Sequence, residues 1–87
     1  MKYRKKPVVI EAIQWTGKNY AELQEFTIYD FYRKDVDFGT TDATIKTLEG
    51  EFRVAQFDWV IKGIKGEHYS CKPNIFKATY EKLQGDK

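Results

Sequence analysis

The apolar residues of this chain change their period along its length, and each change marks an element. Val8 to Trp15 is dense in β-branched and aromatic side chains, with Val8, Ile10 and Ala12 on one face and Val9, Ile13 and Trp15 on the other. Apolar positions on both faces predict a central strand covered on each side, opened by Pro7, where a missing N–H does little harm. Glu11 interrupts the second face and is expected to be solvated at its edge or paired with a base. Thr16-Gly17-Lys18 reads as a turn. Asn19 and Glu22 have the capping-box spacing, and Tyr20, Leu23 and Phe26 or Thr27 give a helix over about Tyr20 to Phe26 its apolar face. A helix this short persists only by packing on the sheet.

From Ile28 to Thr41 no clean period survives. Ile28, Tyr29, Phe31 and Tyr32 suit either a short strand or an extension of the helix, and Gly39 marks a turn. A stretch of this length inside a small domain is either functional or conceals an element. Beyond Asp42 the pattern alternates. Ala43 to Leu48 and Phe52 to Gln56 flank Glu49-Gly50-Glu51 as a hairpin, and Asp58 to Ile64 and Glu67 to Cys71 flank the turn at Gly63 to Gly66. Pro73 and Asn74 open a helix whose stripe is Ile75, Phe76, Thr79, Tyr80 and Leu83, stopped by Gly85. The order β-α-β-β-β-β-α, with short connections between the later strands, predicts an α+β fold. It is a small, mostly antiparallel sheet of about five strands with two helices packed on it.

Composition narrows the possibilities more than it selects among them. The 87 residues are expected to form a single domain, 1–87, with a thin core that an oligomer would help to cover. Charged residues at 32% and apolar residues at 41% indicate a globular chain. Aromatics at 16% either fill that small core or form an exposed contact surface. A net charge of +2 is too weak to argue for nucleic acid. One cysteine excludes an internal disulfide, and one histidine with one cysteine cannot make a zinc site without several carboxylates. No apolar run approaches a membrane span, and the start MKYRKKPVVIEAIQW lacks a cleavage site, so no signal peptide is read and a cytoplasmic protein is expected.

Three segments resemble a family of small phage and prophage proteins: MKYRKKPVVIEAIQWTG at the start, TLEG in the middle and DWVIKGIKGEHYSCKPNIFKATYEKL at the end. The last is similar to the short domain named for its P-G-D-Y-G signature. Together they cover roughly two thirds of the chain, and Ile28 to Thr41 lies outside them. Gln56-Phe57 stand where the signature has Pro-Gly, so the tight turn before Asp58 must be made without that pair, and Ser70 stands where the family has Pro. The resemblance implies a phage origin and a host-cell cytoplasmic setting. It carries no activity and no catalytic residue to transfer.

No motif forces a chemistry. His68 and Cys71 are three apart, which on a strand puts them on opposite faces and breaks a Cys–His pair. Cys71 is expected as a small buried hydrophobe and His68 as a surface or loosely hydrogen-bonded side chain. Asp35 with Asp37, and Glu49 with Glu51, read as turn residues rather than catalytic pairs. No nucleophile–base–orienter set stands out, so the chain is not expected to be an enzyme or to need a cofactor. Lys62, Lys65 and Lys72 with Tyr69 would form a basic, aromatic-edged patch if the hairpin gathers them, and otherwise are solvated lysines. Arg4, Lys5 and Lys6 lie in a basic leader that either touches nucleic acid or an acidic partner, or guards a sheet edge. The expected function is stoichiometric binding to a host or phage protein, or to a second copy. It would show as an exposed apolar patch. Nucleic-acid or nucleotide binding through the basic residues is the alternative.

Overall fold

The computed structural model describes residues 1–3, 9–34 and 41–82. Among them the elements run β1 (Glu11–Gln14), α1 (Tyr20–Phe26), β2 (Phe31–Tyr32), β3 (Ala43–Thr47), β4 (Gly50–Val54), β5 (Trp59–Lys62), β6 (His68–Cys71) and α2 (Pro73–Thr79). The fold is α+β with antiparallel pairing throughout, as the pattern predicts. The six strands form two three-stranded sheets, β1-β5-β6 and β2-β3-β4, where the sequence suggests one sheet of about five.

Two local features divide the sheet. The stretch without a legible period hides β2, whose Phe31 and Tyr32 pair with Ile45 and Thr44 and occupy one edge of β3. The turn Ala55-Gln56-Phe57-Asp58 then carries the chain to β1 instead of back along β4. Trp15 N–H bonds the Asp58 carbonyl at 2.8 Å, Phe57 N–H bonds the Trp15 carbonyl, and the Gln56 side chain donates to the Thr16 carbonyl at 2.9 Å. These bonds align β5 with β1, so β5 becomes the central strand of its sheet and β1 an edge, not the covered central strand that its apolar pattern suggests. Glu11 is exposed there.

The turn itself closes without a Pro-Gly pair. Asp58 N–H reaches the Ala55 carbonyl at 3.0 Å, and Phe57 sits at φ +75° in the third position, where a glycine is usual. In the β3–β4 hairpin Gly50, at φ +126°, follows the two-residue loop Leu48-Glu49.

Within an antiparallel pair, opposed residues share a face. The faces of the two sheets meet around Trp15, which is 1% exposed and touches Phe31 edge-on at 5.1 Å and Tyr20 at 6.4 Å. Leu23 of α1, Phe31, Ala43, Ile45 and Val54 of the second sheet and Val60 of the first complete this core. The indole N–H donates to the Thr41 carbonyl at 2.6 Å. The opposite face of the first sheet carries Trp59 and Tyr69 and is covered by α2, where Phe76 stacks on Trp59 at 4.1 Å. No α2 residue is buried, and Ile75 of its apolar stripe is exposed. Leu83 and Gly85 lie outside the described residues.

The ends of α1 are built differently from the capping box. Asn19 precedes the helix but does not cap its N–H groups. Its side chain turns back, donating to the Gln14 carbonyl and Glu22 and accepting from Thr16, and so ties the β1–α1 turn. At the other end Tyr29 N–H reaches the Gln24 carbonyl at 2.8 Å and Ile28 N–H the Glu25 carbonyl at 3.2 Å, a Schellman closure. Its left-handed positions are taken by Ile28 at φ +54° and Tyr29 at φ +66° rather than by glycine. Buried Thr27 holds the corner by donating to the Leu23 carbonyl and accepting from Phe31 N–H.

Candidate interaction groove

The residues expected to form a basic patch are dispersed. Lys62 opposes His68 in the β5–β6 ladder, and its ammonium lies 5.1 Å from the centre of the Phe26 ring of α1. Tyr69 is on the other face, its hydroxyl 3.5 Å from that of Tyr80. That hydrogen bond first, and burial second, push the Tyr69 hydroxyl up to about 12. Lys65 is exposed in the turn. Lys72 lies four residues beyond His68, roughly 13 Å along the strand, and its ammonium is held by Asp58 at 3.1 Å. Arg4, Lys5 and Lys6 lie outside the described residues.

His68 and Cys71 sit on one unbroken strand and therefore face opposite ways. His68 is buried rather than at the surface. Its Nε2–H donates to the Phe26 carbonyl at 3.1 Å and its ring meets Phe26 edge-on. Burial first, then the neighbouring Lys62 charge, lower its pKa below the ordinary 6.5, against the opposing pull of the Phe26 carbonyl, Asp30 and Glu67. Cys71 is half-buried rather than buried, and desolvation raises its thiol. This keeps it in the unreactive protonated form. Of the carboxylate pairs, Glu49 lies in the hairpin loop and Glu51 on β4 pairs with Lys34 at 2.8 Å, while Asp35 and Asp37 are outside the described residues.

The His68 shift has a consequence for folding. The unfolded chain takes up the imidazole proton first as the pH falls below 6.5, so stability is lost from there down to the folded pKa. The urea midpoint is expected to drop between about pH 7.5 and 5.5, and His68→Gln to flatten that slope. A variant with an unchanged slope would contradict this.

What the chain does gather is apolar. The α1–β2 corner, the β3–β4 loop and the β5–β6 hairpin surround an open groove of about 970 Å³, lined by Ile28, Leu48, Phe52, Lys65, Glu67 and His68 among others. Leu48 is 98% exposed at the hairpin tip, Ile28 73% and Phe52 46%. None of these three stood out in the sequence. The available signal was an apolar leucine in a two-residue loop, where polar turn residues are usual. Holding a β-branched residue at positive φ costs about 1–3 kcal/mol, and at Ile28 that conformation sets an apolar side chain on the rim.

His68, Tyr69 and Ser70 of β6 also border the groove. Gly63 N–H bonds the Glu67 carbonyl at 2.8 Å, so the pairs Ile61–Tyr69 and Trp59–Cys71 exchange the ladder bonds. The main-chain N–H and C=O groups of His68 and Ser70 consequently point away from β5, and β6 pairs with no other strand among the described residues.

Among the described residues no cluster of three or more histidines, cysteines and carboxylates could hold a metal ion, and no helix is long and apolar enough to cross a membrane. Compared with protein-family models, curated proteins and solved structures, the chain finds no match.

Proposed function

We propose that this chain is a small phage-encoded accessory protein that acts by stoichiometric binding, taking an extended apolar segment of a partner protein into the groove between its two hairpins. The observation that carries this reading is the convergence of Ile28, Leu48 and Phe52, all exposed, on one groove. Burial of three such side chains supplies the hydrophobic part of an interface. The outward main-chain groups of His68 and Ser70 offer an added strand its hydrogen bonds, which favours an extended partner over a helical one. The resemblance to phage proteins supplies the setting, a host cell or its phage.

The nucleic-acid reading loses support, because Lys62 and Lys72 stand at opposite ends of the β5–β6 ladder and both are engaged within the chain.

The test is capture from nuclease-treated host lysate with the wild-type protein and with Leu48→Asp, chosen because Leu48 is fully exposed and its change leaves the core intact. A partner held in stoichiometric amount by the wild type and lost at least tenfold by the variant, about 1.4 kcal/mol, is the expected result. Equal capture by both would remove the groove, and capture of nucleic acid alone, reversed by salt, would restore the basic-patch reading.

A further inference from the structure

The outer edge of β4 is self-complementary, and from it we infer that the protein forms a two-fold dimer by pairing β4 with β4 of a second copy. The inference goes beyond the groove reading and does not depend on it.

Lys46 N–H bonds the Asp30 carbonyl at 2.8 Å, on the side of β3 away from β4. The pair Lys46–Glu51 therefore exchanges no ladder bond, and neither does Thr44–Arg53 two residues away. The main-chain groups of Glu51 and Arg53 accordingly point outward from β4, which pairs only with β3 among the described residues. Gly50, Glu51, Phe52 and Arg53 are all exposed. An unpaired strand edge of this length is a template for another strand.

A dyad through Phe52 satisfies this edge in one register. Antiparallel pairing places Phe52 opposite its own copy as a non-hydrogen-bonded pair, and Glu51 opposite Arg53 of the second copy as a hydrogen-bonded pair, twice over. The outward groups already alternate to suit that arrangement, so four main-chain hydrogen bonds form without a shift of register. The side chains agree. Each Glu51 meets an Arg53, and opposite charges directly across a strand pair attract.

Within each chain Lys34 pairs with Glu51 and Arg53 with Asp42. The dimer joins these into a row of alternating sign, Lys34–Glu51–Arg53–Asp42, across each side of the dyad. On the opposite face the two half-exposed Phe52 rings come together. The product is a six-stranded sheet, and a closed isologous contact rather than an open-ended one. The contact is small, so the dimer is of the weak class.

The experiment is sedimentation velocity over a concentration series, on the wild type, on Glu51→Arg, on Arg53→Glu and on an equimolar mixture of the two variants. Circular dichroism serves to show that each variant is folded. The wild type should self-associate. Each single variant sets like charges opposite each other twice and should associate about tenfold or more weakly. The mixture should regain association, because the paired arginines of one variant then face the paired glutamates of the other. A wild type that stays monomeric, single variants that associate as the wild type does, or a mixture that stays monomeric would each overturn the dimer. Phe52 borders the groove as well as the dyad, so capture is read from the Leu48→Asp comparison, at a residue outside the paired stretch 51–53.

Discussion

Replacing Trp15 with alanine is expected to remove a large part of the stability of this domain. The indole is 1% exposed and sits where both sheets and α1 meet, edge-on to Phe31 and Tyr20. Truncating a buried aromatic to alanine costs about 3–5 kcal/mol through lost transfer energy and the cavity left behind. The variant also strands the Thr41 carbonyl, which receives the indole N–H. Domains of this size have roughly 4–13 kcal/mol in total, so the loss is a large part of it and the urea midpoint should fall sharply. Trp15→Phe refills much of the volume but not the hydrogen bond, and should cost about 1–2 kcal/mol. Urea melts followed by the fluorescence of Trp59 measure both. A Trp15→Ala midpoint close to the wild type would mean that the core is not centred there.

That Trp15 is central was partly legible. Its β-rich surroundings mark a strand, and periodicity places Ile13 and Trp15 on one face. What the pattern could not convey is that the strand is an edge. An edge strand whose inner face packs and whose neighbours are long apolar residues reads like a covered one until its partners are known. The helix Tyr20–Phe26 was legible because Leu23 and its neighbours have the right spacing. Its end was not, because the Schellman closure there uses Ile28 and Tyr29 where a glycine would have announced it. The same unannounced corner left β2 as one of two readings, short strand or helix extension, because a two-residue strand is too short to show any alternation.

The groove was illegible for a related reason. Leu48 and Phe52 belong to the β3–β4 hairpin and Ile28 to the α1–β2 corner well before it, and only the pairing of β2 with β3 brings the three together. The basic residues were the opposite case. They are adjacent in sequence across one hairpin, yet strand alternation sends Lys62 and Tyr69 to different faces, and the ladder separates Lys62 from Lys72 by its whole length. Residues near in sequence can converge only when their parity and position along the ladder agree.

Lys72 illustrates how a lysine offered as a ligand-binding residue can serve the fold. Asp58 is 3% exposed, and its Oδ2 accepts both the Ala55 N–H at 3.0 Å and the Lys72 ammonium at 3.1 Å. One carboxylate thereby closes the turn that sends β5 to β1 and fastens the residue from which α2 begins. Asp58→Ala removes both charge-assisted bonds and leaves the Ala55 donor unpaired, with an expected cost of about 2–3 kcal/mol.

Lys72→Met keeps the aliphatic stem but leaves the buried carboxylate without its counter-ion. Because the Lys72 side chain is 60% exposed, water screens part of the loss, and the expected cost is about 1–2 kcal/mol. Lys65→Met, in the exposed turn, should change stability by less than about 0.5 kcal/mol. Combining Asp58→Ala with Lys72→Met should cost no more than Asp58→Ala alone, since the partner is already gone. If Lys72→Met and Lys65→Met proved equally harmless, Lys72 would be free for a ligand after all, and its role in anchoring α2 would have to be abandoned.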